Sequence, residues 1–140
     1  MLKIKIGVVG YCPPTKFDEN EAERMINEAY DAVQQVHPDK KKIVVSGLTN
    51  VGVPALAYRA AVQRGWSTKG IACSKASEYP LFPVDEKVII GHEWGDESHE
   101  FVNGIDILIR VGGGKQSLKE AADVWMQRKP VLEYDLPALK

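Results

Sequence analysis

Three short stretches of this sequence concentrate residue types that handle anions. They are Gly10-Tyr11-Cys12-Pro13-Pro14, Gly47-Leu48-Thr49-Asn50-Val51-Gly52-Val53-Pro54 and Gly112-Gly113-Gly114-Lys115-Gln116-Ser117. Glycine lets a ligand approach main-chain N–H groups with no side chain in the way. A helix N-terminus adds free donors and about half a positive charge. Together these features make an anion site. On this reading Gly10, Gly47, Gly52, Gly112, Gly113 and Gly114 cradle phosphate through backbone donors. Thr49, Asn50, Gln116 and Ser117 add hydrogen bonds to phosphate or ribose, Lys115 pairs with a phosphate, and Tyr11 stacks on a base. A plain reading stands beside each: tight turns for the glycines, turn chemistry for Thr49 and Asn50, an N-cap for Ser117, solvation for Lys115, packing under a loop for Tyr11.

Two roles are open to Glu120. It could stabilise an oxocarbenium-like transition state while an N-glycosidic bond breaks, as glycosidase carboxylates do. Equally, Ser117-x-x-Glu120 reads as a capping box at a helix start. Well-known nucleotide motifs are missing. The stretch Gly47 to Gly52 has P-loop glycine spacing, but Val53-Pro54 stands where Lys and Ser/Thr belong, which argues against ATP hydrolysis. Gly7 and Gly10 do not make the dinucleotide fingerprint. His92, Glu93, Asp96, Glu97 and His99 follow no standard ligand spacing, so no metal or bound cofactor is expected. Cys12 has no evident partner histidine and is not read as a nucleophile.

The 140 residues suit one domain spanning 1–140, and 44% hydrophobic with 26% charged residues is a globular composition. A formal net charge of −1 gives no basic field for a nucleic-acid backbone. Two cysteines are too few for a disulfide scaffold. No signal-peptide pattern or membrane-length apolar run occurs, so the reading is cytoplasmic, with no membrane partner.

The elements that must hold these turns alternate strand and helix. Ile4 to Val9 reads as a strand; Asp18 caps the next helix, with Glu21 completing a capping box, and His37-Pro38 ends it. Lys42 to Ser46 is a second strand. Pro54 opens and Gly65 follows a second helix. Thr68 to Cys73 is the third strand and 74–85 an irregular surface crossover. Lys87 to Ile90 is the fourth strand, with a short helix from Asp96 to Gly104 turning Phe101 and Val102 inward. Ile105 to Val111 is the fifth. Ser117 opens a last helix whose apolar face is Leu118, Ala121, Ala122, Trp125 and Met126, and a strand from Pro130 to Tyr134 closes the chain. Apolar strands alternating with amphipathic helices predict an α/β fold, a doubly wound, mostly parallel sheet in a Rossmann-like three-layer sandwich. All three glycine-rich turns then fall on the carboxyl edge of that sheet, where such folds bind ligands. Trp125 and the last helix could extend the core across a two-fold axis, so a homo-oligomer, a dimer or higher, is expected.

Ser46-Gly47-Leu48-Thr49-Asn50-Val51-Gly52-Val53-Pro54 resembles a signature of the SLOG superfamily, and Val111-Gly112-Gly113-Gly114-Lys115-Gln116-Ser117-Leu118-Lys119-Glu120 followed by Lys129-Pro130-Val131 resembles its second. The resemblance covers roughly residues 3 to 134. That superfamily includes the LOG phosphoribohydrolases, molybdenum-cofactor carriers and the DNA-processing protein A fold. It implies a Rossmann-like domain, a nucleotide or phosphoribosyl-type ligand, and oligomers. The enzyme members carry P-G-G-x-G-T-x-x-E. Here Gly112, Gly113, Gly114 and Lys115 fill its first four places, Gln116 and Ser117 replace glycine and threonine, and Glu120 keeps the acid. The enzymes also use an arginine from the preceding helix, and the stretch Asp96 to Asn103 has none; Arg110 is not an obvious substitute. The resemblance therefore implies non-catalytic or weakly catalytic binding of a nucleotide or nucleotide-derived phosphate ligand. The alternatives are a nucleoside-monophosphate phosphoribohydrolase using Glu120, and a single-stranded DNA-binding domain, which the charge disfavours.

Overall fold

In a computed structural model that describes residues 2–140, the chain alternates strand and helix throughout. The elements are β1 (Lys3–Gly10), α1 (Glu19–Val36), β2 (Lys41–Ser46), α2 (Gly52–Gln63), β3 (Ser67–Ala72), β4 (Glu86–Ile89), α3 (Ser98–Asn103), β5 (Ile107–Val111), α4 (Lys115–Met126) and β6 (Val131–Tyr134). Six parallel strands pair in the order β4-β3-β2-β1-β5-β6. Strand order reverses between β1 and β5, so the sheet opens a crevice at their carboxyl ends. The expected Rossmann-like architecture is present.

Alternation along the strands feeds two cores. Ile4, Ile6, Val8, Val44 and Ile109 face α1 and α2, while Val45 and Leu108 belong to the cluster of α3 and α4. Period-two side-chain placement is what lets adjacent residues serve opposite faces. Tyr30 ties the first layer together, donating its buried hydroxyl to Ala57 O at 2.8 Å.

Several local expectations shift. Asp18 caps α1 by accepting from the Glu21 N–H at 3.1 Å, but the Glu21 carboxylate turns to Arg24, so only half of the box forms. Pro54 is the third residue of α2 rather than its first, behind an N-cap at Val51. The 74–85 crossover is not irregular throughout: Ser74–Glu78 is a 3-10 helix, and Leu81 bridges antiparallel to Thr49.

The last helix differs most. It begins at Lys115, with Gly114 as N-cap, so Ser117 is not its cap. The residues it buries are Ser117, Glu120, Ala121 and Val124. Leu118 and Met126, expected inside, are 53% and 78% exposed, and Trp125, expected in the core or across a two-fold axis, is 71% exposed; these are the largest apolar side chains left uncovered on any described helix face. The helix is rotated so that its two small polar positions look toward the crevice. No described helix is long and apolar enough to cross a membrane.

Candidate functional site

The crevice between β1 and β5 widens into a cavity of about 470 Å³, within the size range of small-molecule sites. Its wall comes from all three glycine-rich turns: Gly10, Tyr11 and Cys12 after β1, Gly47 and Thr49 after β2, and Gly114 to Ser117 after β5. Glu120 and Glu97 complete one side, and Tyr79 and Trp94 stand near the rim. The convergence expected from sequence is therefore real.

Not every expected residue reaches it. Asn50, Gly52, Gly112 and Gly113 lie outside the wall. Asn50 is exposed, and its N–H is spent on Pro80 O at 2.7 Å. Gly52, at φ +65°, exists for loop packing, since a Cβ there would lie 2.5 Å from Tyr11 O. Gly112, at φ +60°, leaves room for the Tyr11 ring, which a Cβ would meet at 2.4 Å. Close packing inside the protein, against the backbone or the ring of Tyr11, is the reason for these glycines. Gly113 likewise makes way for the Ser117 hydroxyl.

The turn after β2 is locked. Leu48 sits at φ 74°, with its N–H held by the Tyr58 hydroxyl at 3.0 Å, and Tyr58 in turn donates to Lys69 O at 2.9 Å. Phe82 donates its N–H to Leu48 O at 2.9 Å, so the crossover straps the turn down. The N-terminus of α2 has little to offer a ligand. The Val53 N–H donates to Tyr11 O at 2.8 Å, and Pro54 has no N–H.

The turn after β5 is open. Gly114 caps α4 with no side-chain hydrogen bond. The first intrahelical bond runs from Leu118 N to Gly114 O, which leaves the N–H groups of Lys115, Gln116 and Ser117 without acceptors among the described residues. Arg110 stiffens this turn from below, donating to Gly112 O at 3.1 Å while pairing with Asp135 and Glu133. It does not line the cavity, so it is no substitute for the missing arginine.

Glu120 is 5% exposed. The capping-box role is ruled out, because neither it nor Ser117 sits at the positions that box requires. Its Oε2 accepts from the Ser98 hydroxyl at 2.9 Å. Burial pushes the carboxyl group up to about 7; the Ser98 and Gln116 side chains oppose the rise, and Glu97 and Asp123 add to it. Glu97 is the residue that sequence reasoning missed. It lay in an acidic run read only for metals, yet it is 5% exposed, and its Oε1 accepts from Gln116 Nε2 at 2.9 Å and Gly95 N at 3.3 Å. Its Oε2 is buried without a partner. No sequence signal separates it from its neighbours, since only the tertiary packing of the segment before α3 against α4 buries it. The rest of that run disperses: Glu93 pairs with Lys75, Asp96 binds the His92 and Glu93 N–H groups, and His99 meets Asn103. No described cluster of three or more His, Cys, Asp or Glu could hold a metal.

Around the rest of the wall, the side chains apart from Lys115 carry no charge. Desolvation raises the Cys12 thiol to about 11 despite a Thr49 hydrogen bond. The residue has exposed surface, yet crowding at the sulfur keeps it a thiol rather than a thiolate. Tyr11 is held by its hydroxyl, donated to Leu136 O at 2.7 Å, and by stacking on Phe17 at 5.8 Å. Trp94 is not packed away under a loop: it is half exposed and tilted against Tyr79, with ring centroids 6.3 Å apart.

Comparisons with known proteins agree with this architecture. A molybdenum cofactor carrier protein from Chlamydomonas reinhardtii is 24% identical, with a TM-score of 0.72 over 94% of this chain and 76% of its own. A molybdenum cofactor binding protein from Rippkaea orientalis is 25% identical, with a TM-score of 0.74 over 95% of this chain and 77% of its own. No curated protein matches the chain. The SLOG cluster4 family profile matches residues 3–138, nearly the whole sequence, and the chain belongs to that family.

Proposed function

We propose that this protein binds a nucleotide or nucleotide-derived phosphate ligand in the cavity at the carboxyl edge of the sheet, without efficient catalysis. The observation that carries the reading is the open start of α4. Three consecutive N–H groups there have no acceptor and border a cavity of small-molecule size. A phosphate against Lys115, Gln116 and Ser117 gains those donors and the positive end of a 12-residue helix. Gly47 has room where a side chain would stand, Gly10 instead makes way for Val53 and Val111 O, and Thr49 and Tyr11 border the cavity. Trp94 and Tyr79 offer an aromatic surface to a base or other flat ring. Because the solved relatives are described as molybdenum cofactor carrier and binding proteins, a carried cofactor is a second ligand class for the same cavity.

A thermal-shift panel of mono-, di- and cyclic nucleotides tests the reading. Saturation at 100 times the dissociation constant adds about 2.7 kcal/mol of stability. A flat response across the panel removes it.

One observation favours a second reading, phosphoribohydrolase activity: Glu120 does reach the cavity. Against it, the segment expected to bring an arginine brings Glu97 instead, and a carboxyl group near pKa 7 is half neutral where that chemistry needs an anion. Release of free base from AMP, abolished in Glu120→Ala, would establish the second reading. The exposed Leu118, Trp125 and Met126 support the expected homo-oligomer, and light scattering would read its mass.

A further inference from the structure

Two acids and an anion site share one wall of the cavity, and this is electrostatically awkward. Glu97 and Glu120 are each 5% exposed and line the same space as the open amides of α4. The only cation on the lining is Lys115, which is exposed at the mouth. If both acids were ionised, an incoming anion would meet two buried negative charges at short range in a poorly screened setting. Neither charge has a salt-bridge partner among the described residues.

The hydrogen bonds are asymmetric. Glu97 accepts two at Oε1, from Gln116 and Gly95, while its Oε2 is buried without a partner among the described residues. Among the described residues Glu120 accepts one close hydrogen bond, at Oε2 from Ser98, with the Gln116 side chain near enough to lower its carboxyl, and no other group donates to Oε1. That second oxygen belongs to a residue on the cavity wall, one helical turn beyond the free N–H of Ser117. We infer that Glu120 takes part in ligand binding as a neutral carboxylic acid, donating a hydrogen bond from Oε1 to the anionic group seated on the α4 amides. The proton comes from solvent, so ligand binding is coupled to proton uptake.

The charged groups that face Glu120 push one way, and the hydrogen bonds of Ser98 and Gln116 push the other. Glu97 acts from the segment before α3 and Asp123 from α4 itself, and both favour the neutral form, as does burial. His99 and Glu100 of α3 are exposed, with His99 engaged by Asn103. Lys119, next in the chain, is exposed too. From the β1 turn, Cys12 contributes a neutral thiol. A carboxylic acid kept neutral by its surroundings, so that it donates to an anion, is a known use of such burial.

This rests on the anion-binding reading above, and the test separates the two. Sulfate is the probe, because its charge is constant between pH 5.5 and 8.5. The readout is the chemical-shift change of the Lys115, Gln116 and Ser117 amides during sulfate titrations at both pH values. With Glu120 titrating near 7, wild-type affinity falls about 30-fold across that interval. Glu120→Gln, whose amide donates at any pH, loses the dependence and binds more tightly than wild type at pH 8.5. Glu97→Gln keeps a pH dependence and moves its midpoint to lower pH, because Glu97 raises the Glu120 carboxyl. Equal affinity of wild type at the two pH values overturns the proton-coupled role while leaving the anion site intact. Absence of amide shifts at either pH overturns both.

Discussion

Two helices begin on the carboxyl edge of the sheet behind glycine-rich turns, and they have opposite fates. At the start of α2 few donors are left for a ligand: Val53 N–H goes to Tyr11 O, Pro54 has none, Gly52 lies outside the cavity wall, and the turn is strapped by Asn50–Pro80 and Phe82–Leu48 hydrogen bonds. At the start of α4 three N–H groups stay free behind an uncapped Gly114. Glycine content is the same signal in both. What separates them is whether a neighbouring segment has already used the donors, so a glycine-rich turn is evidence of an anion site only after its own hydrogen bonds are counted.

The contrast can be broken by mutation, and the largest effect belongs on the closed side. Gly52→Ala forces a Cβ into a left-handed residue and against the backbone of Tyr11 and Cys12. Strain and overpacking together cost about 4 kcal/mol. Urea unfolding would register this, and a loss below about 1 kcal/mol would mean that the α2 start is looser than described.

Next in size is Glu120→Gln. The folded-state value near 7 lies above the ordinary 4.5, so the folded protein holds a proton that the unfolded chain has released between those values. Stability from this group is greatest below about pH 4.5 and is lost as pH rises through about 7. At pH 8 the ionised, buried acid costs about 3 kcal/mol. Glu120→Gln therefore stabilises the protein at pH 8 and leaves it nearly unchanged at pH 4.5. Melting curves at the two pH values that moved in parallel would contradict the buried-acid description.

On the open side the expected energy is smaller but the functional change is sharp. Gly114 has an extended backbone and nothing within 4 Å of an added Cβ. Gly114→Asp supplies the missing side-chain cap and gains about 0.3 kcal/mol, since glycine is itself a fair N-cap. The same carboxylate occupies the α4 donors, so nucleotide-induced thermal shifts vanish. Retention of those shifts in a more stable Gly114→Asp protein would place the ligand elsewhere. Smallest of all is Asn50→Ala, which changes an exposed side chain that makes no hydrogen bond. Stability stays within about 0.5 kcal/mol and ligand binding within about two-fold, whereas a larger loss of binding would return the β2 turn to the site.

Much of this molecule was readable from residue order. Apolar strands at Ile4 to Val9, Ile43 to Val45 and Ile105 to Val111, separated by periodic helices, left few alternatives to a doubly wound sheet, although the fifth strand starts two residues later, at Ile107. The Asp18 cap and the His37-Pro38 stop are local chemistry, and both hold. The last helix was misjudged because a helical repeat identifies an apolar stripe but not which stripe the sheet accepts. Ser117 and Glu120 lie inside while Trp125 and Met126 lie outside.

Local sequence thus determined the elements, the sheet class and the edge on which the turns gather, since capping, β-branching and periodicity act over a few residues. Tertiary structure decided which donors remain free, that Glu120 is buried rather than a cap, and that Glu97 joins it from a segment 23 positions earlier in the chain. Those outcomes depend on desolvation and on hydrogen bonds between distant segments, which exist only once the segments are packed together.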